Sequence, residues 1–199
     1  MDEIKSAKEI AQEKIDAVGE VSEEDKLRWK YRPEGEKLAA KYLKNGTDLA
    51  ADLAQFPAGA LPYIKKGLEE VLAAAIVLPK LEGAQARNKR AIDGLVALKK
   101  DKGAANKLAG QMRQVLDHYT DQGEKQRKAT REALKDQYDA KVHQAMDKQL
   151  GASAGLEGMK INVETLPQFQ EEWRRVSAQM DQQYLGLLDQ FKKEMAKIS

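Results

Sequence analysis

Hydrophobic residues recur along this chain at helical intervals and almost nowhere at the alternation of a half-buried strand. Ile4, Ala7, Ala11 and Ile15 lie at three- and four-residue spacings, which predicts a first amphipathic helix ending at Gly19. Ser22 followed by Glu23, Glu24 and Asp25 reads as a capped start, a hydroxyl for the orphan N–H groups and acids at the positive end of the helix. That second helix passes Leu27 and Trp29, is expected to bend or stop at Arg32–Pro33, resumes through Leu38, Ala39, Tyr42 and Leu43, and closes at Asn45–Gly46. Thr47–Asp48 caps a short piece from Leu49 to Gln55, and Phe56–Gly59 forms a corner. Pro62 suits the first turn of the next helix, which runs through the apolar stretch Leu61 to Leu78 until Pro79 breaks or kinks it. Another helix is read from Leu81 past Ile92 and Leu95 to Lys99–Lys100, followed at Asp101–Gly103 by a turn or by uninterrupted helix.

The longest predicted element spans about Ala104 to Leu150, free of proline. It carries two apolar seams, one through Leu108, Met112, Val115, Leu116 and Tyr119, the other through Leu134, Tyr138, Val142, Ala145, Met146 and Leu150. Between them Thr120 to Ala133 is polar on every side, so this stretch either projects into water or bends at Gly123. Gly151 to Gly158 reads as a flexible linker, Met159 to Val163 as a short extended piece, and Thr165-Leu-Pro-Gln168 as the capped start of the last helix. That helix bears the most regular pattern in the chain: Phe169, Trp173, Val176, Met180, Tyr184, Leu187, Phe191 and Met195. Phe169, Met180 and Phe191 are spaced by 11, as are Trp173, Tyr184 and Met195, a repeat of about 3.67 residues per turn that favours straight rods. These eight residues are the candidate interaction stripe, and packing against the long helix of the same chain is the simplest use of it.

The expected fold is therefore all-α: an elongated helical bundle over residues 1–103, then a long antiparallel coiled-coil-like hairpin over 104–199 with its linker at 151–163. Composition supports this. Ala, Glu, Lys, Leu and Arg supply 101 of 199 residues, as in long helices, while a net charge of +2 is too small for a disordered polyelectrolyte. The absence of Cys excludes disulfides, Cys-ligated metal and thiol nucleophiles. The apolar stretch Val71 to Leu78 is too short for a membrane span, and residues 1–18 are too charged for a secretory signal, so a cytoplasmic location is expected.

Charge is unevenly placed, with residues 1–36 acidic on balance and residues 80–107 basic. Lys89, Arg90, Lys99 and Lys100 in the basic segment form a candidate anion or RNA surface. Trp29, Tyr31 and Tyr42 stand near Lys26, Arg28, Lys30 and Arg32, a mixture able to stack bases. Their acidic neighbours oppose phosphate, so Trp29 is expected to anchor a core instead. Chemistry is sparse. His118 and His143 would sit about 37 Å apart on an unbroken helix. Asp139 and His143 form an i, i+4 pair without further ligands in view, and no phosphate loop exists. No catalytic, cofactor-binding or metal residue is assigned, no cofactor or small-molecule substrate is expected, and the chain does not read as an enzyme.

The stretches Ile4-Lys5-Ser6-Ala7 to Glu9-Ile10-Ala11, Glu36-Lys37-Leu38-Ala39-Ala40-Lys41-Tyr42-Leu43 and Gln168-Phe169-Gln170-Glu171-Glu172-Trp173-Arg174-Arg175 resemble a family of uncharacterised bacterial all-helical proteins. The resemblance implies a bacterial cytoplasmic protein and brings no activity or site residues with it. The function expected is a non-catalytic interaction or scaffold protein presenting a coiled-coil arm to a protein partner or to itself. The alternatives are an RNA- or ribosome-associated factor using residues 80–107 and a stalk-like subunit of a larger assembly.

Overall fold

Capping residues set most of the helix boundaries in the computed structural model, which describes residues 22–150 and 161–198. The helix expected over residues 1–18 and the linker at 151–158 lie outside the described residues. Within them all regular structure is helical, in seven α-helices and two 3₁₀ turns, so the chain is all-α. No helix among the described residues is long and apolar enough to cross a membrane.

Helix α1 spans Glu23–Asn45. Ser22 Oγ accepts the Asp25 N–H at 3.0 Å, and Gly46, at φ 68°, turns the chain left-handed while donating its N–H to the Tyr42 carbonyl. The helix does not stop at Pro33 but continues through it. The lost backbone bond falls on an exposed face: Trp29, whose carbonyl would have received it, is 61% exposed. Trp29 is therefore no core anchor, contrary to expectation. The core contact is made one turn away by Gly35, which lies so close to the Ile64 carbonyl that a Cβ there would overlap it. Gly67 stands in the same relation to the Arg32 carbonyl. Gly35 on α1 thus admits the backbone of α3, which spans Leu61–Ala75, and Gly67 on α3 admits the backbone of α1.

The short helix α2, Leu49–Leu53, is capped by Asp48, whose carboxylate accepts the Ala50 N–H at 2.8 Å. Asp52 on it is buried and receives Lys41 Nζ at 2.9 Å. The Lys41 ammonium holds the Asp52 carboxyl below the usual carboxylate range, against the opposing effect of burial.

Two compact units divide at Ala74–Ala75, Met1–Ala74 and Ala75–Ser199. The division expected at residues 103 and 104 would have separated two helices that pack on each other, α4 (Ala84–Leu98) and α5 (Lys102–Thr120). Helix α3 ends at Ala75, short of the predicted Leu78, and residues 76–80 have no regular secondary structure. The reason lies in a distant residue. Asn88, buried on α4, accepts the Val77 N–H at 3.0 Å and donates to the Val77 carbonyl at 2.7 Å, replacing the helical bonds that segment gives up. Leu78, ahead of Pro79, is also biased away from helix. Ile76 and Leu78 point inward and Val77 outward, and Lys192 Nζ donates to the Ile76 carbonyl at 2.7 Å. Burial pushes the Lys192 ammonium below the usual lysine range.

Asp101 caps α5 through the Ala104 N–H at 2.9 Å, so the helix is interrupted, but at residues 99–101, with Lys102 and Gly103 already in the first turn of α5. The long predicted helix is two: α5, then α6 over Gln122–Leu150, interrupted at Asp121 rather than at Gly123. The last helix, α7, spans Pro167–Lys197 and starts from Leu166 without a side-chain cap. The Thr165 hydroxyl, read as the cap, donates instead to the Asn162 carbonyl within a 3₁₀ turn over Val163–Thr165. Helix α7 packs on α5 and α6, running against them: Tyr119 meets Asp181, Arg131 meets Trp173, and Tyr138 meets Phe169.

Candidate functional site

The eight stripe residues of α7 do not share one environment. Phe169 and Met195 are buried at its two ends, Trp173, Val176, Met180, Tyr184 and Phe191 are half-buried, and Leu187 is 44% exposed. Its neighbour Leu188, absent from the predicted stripe, is 1% exposed. The buried positions Asp181, Leu188 and Met195 step by seven, and they face Ala105, Ala109, Met112, Leu116 and Tyr119 of α5, themselves spaced by four and three. Along this half of α7 the 11-residue reading gives way to a seven-residue step. An aspartate holds one of the seam positions, and apolar periodicity has no means of finding it.

Asp181 is stabilised there by two donors. The Tyr119 hydroxyl donates at 3.0 Å and Lys80 Nζ lies 2.5 Å from the other oxygen. Desolvation, reinforced by the Asp181 carboxylate, pushes the Tyr119 hydroxyl up to about 12. The Tyr119 ring meets Tyr184 edge-on at 5.1 Å between centroids and carries the Arg127 guanidinium 4.1 Å above it. Tyr184 in turn shares a 3.0 Å hydrogen bond with His118 Nδ1. Gly123 is buried beneath this group, where a Cβ would come 2.9 Å from the Tyr184 hydroxyl. Its role is to admit that ring, while the helix breaks two residues earlier.

Beside the network, α6 and α7 stand apart around a groove of about 430 Å³, closed at one end by Pro79 and Lys80. Arg127, Lys128 and Arg131 line it from α6, and Trp173, Ser177 and Asp181 from α7. Ser177 leaves a hollow where a larger side chain would have filled the space. Arg131 lies 3.2 Å from Glu164 and 5.9 Å from the Trp173 ring, so it crosses from α6 to the start of α7. No sequence reading singled out these cations, because their spacing matches any solvated helix face.

One residue of the candidate anion surface does not lie on the surface. Lys89, Arg90 and Lys100 are exposed, but Lys99 is only 6% exposed, its Nζ donating at 3.0 Å to the Ile198 carbonyl. That carbonyl lies at the negative end of α7, which suits an ammonium whose stem is buried. Asp139 pairs with Lys135 at 4.0 Å, and His118 and His143 are both exposed on separate helices. Among the described residues no cluster of three metal-ligating side chains occurs.

Beyond the groove, α6 buries almost nothing. Of the side chains described on it, only Gly123 is buried, while Leu134, Tyr138, Val142 and Met146 are half-buried at four-residue steps. Tyr138 meets the Phe169 ring edge-on at 5.5 Å and donates to the Gln168 carbonyl, so it marks the level where α7 begins. Val142 and Met146 lie one and two turns farther on.

This is an all-helical protein whose polar seam and half-packed helix set it apart from a simple bundle. A model of a family of unknown function, DUF6657, matches residues 50–197, and the chain belongs to that family. No curated protein and no solved structure matches it.

Proposed function

We propose that the protein is a non-catalytic helical interaction protein of the cytoplasm, with α6 as a coiled-coil-like arm offered to a protein partner or to a second copy of the chain. One observation carries the reading. A helix of 29 residues leaves Val142 and Met146 half-exposed, past the point where α7 starts, on the line that Leu134 and Tyr138 use inside the molecule. Isolated helices gain little from propensity alone, and their stability comes mostly from a packed apolar face. The outer turns of α6 have such a face only if something lies against it. The burial of Lys99, with its Nζ on the Ile198 carbonyl, favours this reading over RNA binding through residues 80–107.

Site-specific photocrosslinking in the living host tests it. A photoreactive amino acid at position 142 or 146 is expected to give discrete adducts, of doubled mass or with one defined protein, while the same group at exposed Gln114 on α5 gives none. Uniform failure to crosslink at 142 and 146 would contradict the proposal.

A further inference from the structure

The groove between α6 and α7 has features that an arm for protein pairing does not call for. Four cations line it from two segments far apart in sequence: Lys80 from the stretch between α3 and α4, and Arg127, Lys128 and Arg131 from α6. Two carboxylates line it, Asp181 and Glu124. Asp181 is already held by Tyr119 and Lys80, and Glu124 by Lys128 at 2.9 Å, which lowers the Glu124 carboxyl below its usual range. Arg131 is offset by Glu164 at 3.2 Å, so the carboxylates at the groove leave one cation, Arg127, uncompensated.

Arg127 has the least compensation. Among the described residues it forms no ion pair. It stacks on the Tyr119 ring, donates one long bond of 3.3 Å to the Tyr119 carbonyl, and buries Nη1 with no hydrogen-bond partner. A guanidinium withdrawn from water without a counter-charge is costly, and an anion in the adjoining groove offsets that cost. The opposite wall offers the half-exposed Trp173 ring, with small Ser177 next to it opening the floor. A volume of about 430 Å³ falls in the range of small-molecule sites.

We infer that this groove binds a small phosphate monoester attached to a planar ring, of the mononucleotide class. The phosphate offsets the uncompensated charge of Arg127, with Lys128 beside it, and the ring stacks on Trp173. The inference is independent of the arm proposed for α6, since the groove lies near its other end.

Nuclear magnetic resonance of the full chain tests it, because the two tryptophans, Trp29 and Trp173, give separate indole N–H signals. Titration with adenosine 5′-monophosphate is expected to shift the Trp173 signal saturably and leave that of Trp29 in place. Adenosine alone and inorganic phosphate alone should each bind more weakly. Lys128→Glu, at an exposed position that leaves the fold intact, should weaken binding about tenfold or more. Ser177→Phe, filling the groove, should abolish the shift while the rest of the spectrum stays that of the folded protein. A stationary Trp173 signal at millimolar nucleotide would overturn the inference. So would binding indifferent to Lys128→Glu, phosphate binding as tightly as the nucleotide, or response to single-stranded RNA but not to the mononucleotide.

Discussion

Two stretches of consecutive helices, α5 and the outer turns of α6, meet opposite fates. Helix α5 buries Ala105, Ala109, Met112, Leu116 and Tyr119 in steps of four and three, and α7 answers with Leu188 and Met195. From Asp121 onward α6 buries Gly123 and no other described side chain. The two helices thus share a direction of packing without sharing the work. Burial of large side chains contributes about 1.5–3 kcal/mol each, so α5 and α7 hold this unit together, and α6 adds surface.

The contrast fixes the order of expected effects. Leu188→Ala, in the seam, should lower unfolding free energy by about 2–5 kcal/mol in chemical denaturation. Met146→Ala, half-exposed on α6, should cost about 0.5 kcal/mol or less by the same measurement. An effect as large as that of Leu188→Ala would mean that the outer turns of α6 are core.

The polar seam gives an intermediate effect. Tyr119 remains protonated up to about pH 12 in the folded chain, whereas an unfolded tyrosine ionises near 10. Between those values the unfolded state loses its proton first, so stability is fully present below about pH 10 and falls as pH rises toward 12, by about 2 kcal/mol. Tyr119→Phe should flatten that alkaline decline. The same variant costs stability at neutral pH, because it leaves the buried Asp181 with Lys80 alone. An unchanged alkaline profile would show that burial does not hold the Tyr119 hydroxyl protonated.

The smallest effect belongs to the other unit. The Asp52 carboxyl is lowered by Lys41, so it stabilises the fold above the ordinary carboxylate range and the contribution is lost as pH falls through and below that range. Asp52→Asn should remove a slight part of the acid sensitivity seen by circular dichroism, and Lys41→Met should do the same.

Much of the helical outline could be read from local chemistry. Ser22, Asp48 and Gly46 mark ends because capping and left-handed turns involve residues close in sequence. What escaped depends on residues brought together from afar. Helix α3 ends at Ala75 because Asn88, eleven positions beyond Val77, takes over its backbone bonds. Pro33 sits inside a helix since the lost bond faces solvent, and Gly35 and Gly67 matter because opposing carbonyls press on them. Adjacent leucines 187 and 188 are equivalent to a periodicity count, and only the facing helix decides between them. Asp181 and Lys99 look like surface charges until Tyr119, Lys80 and the Ile198 carbonyl are seen beside them. The groove cations were hidden for the same reason.

Hydrogen exchange on the dilute full chain, resolved amide by amide, bears most directly on the division of labour between α5 and α6. Amides of Met112, Leu116 and Leu188 should exchange only through global unfolding, with the slowest rates in the unit. Those from Val142 to Met146 should exchange orders of magnitude faster through local opening, and slow down on pairing with a second helix. Equal protection of the two stretches in the isolated chain would contradict the account, since α6 would then already be covered.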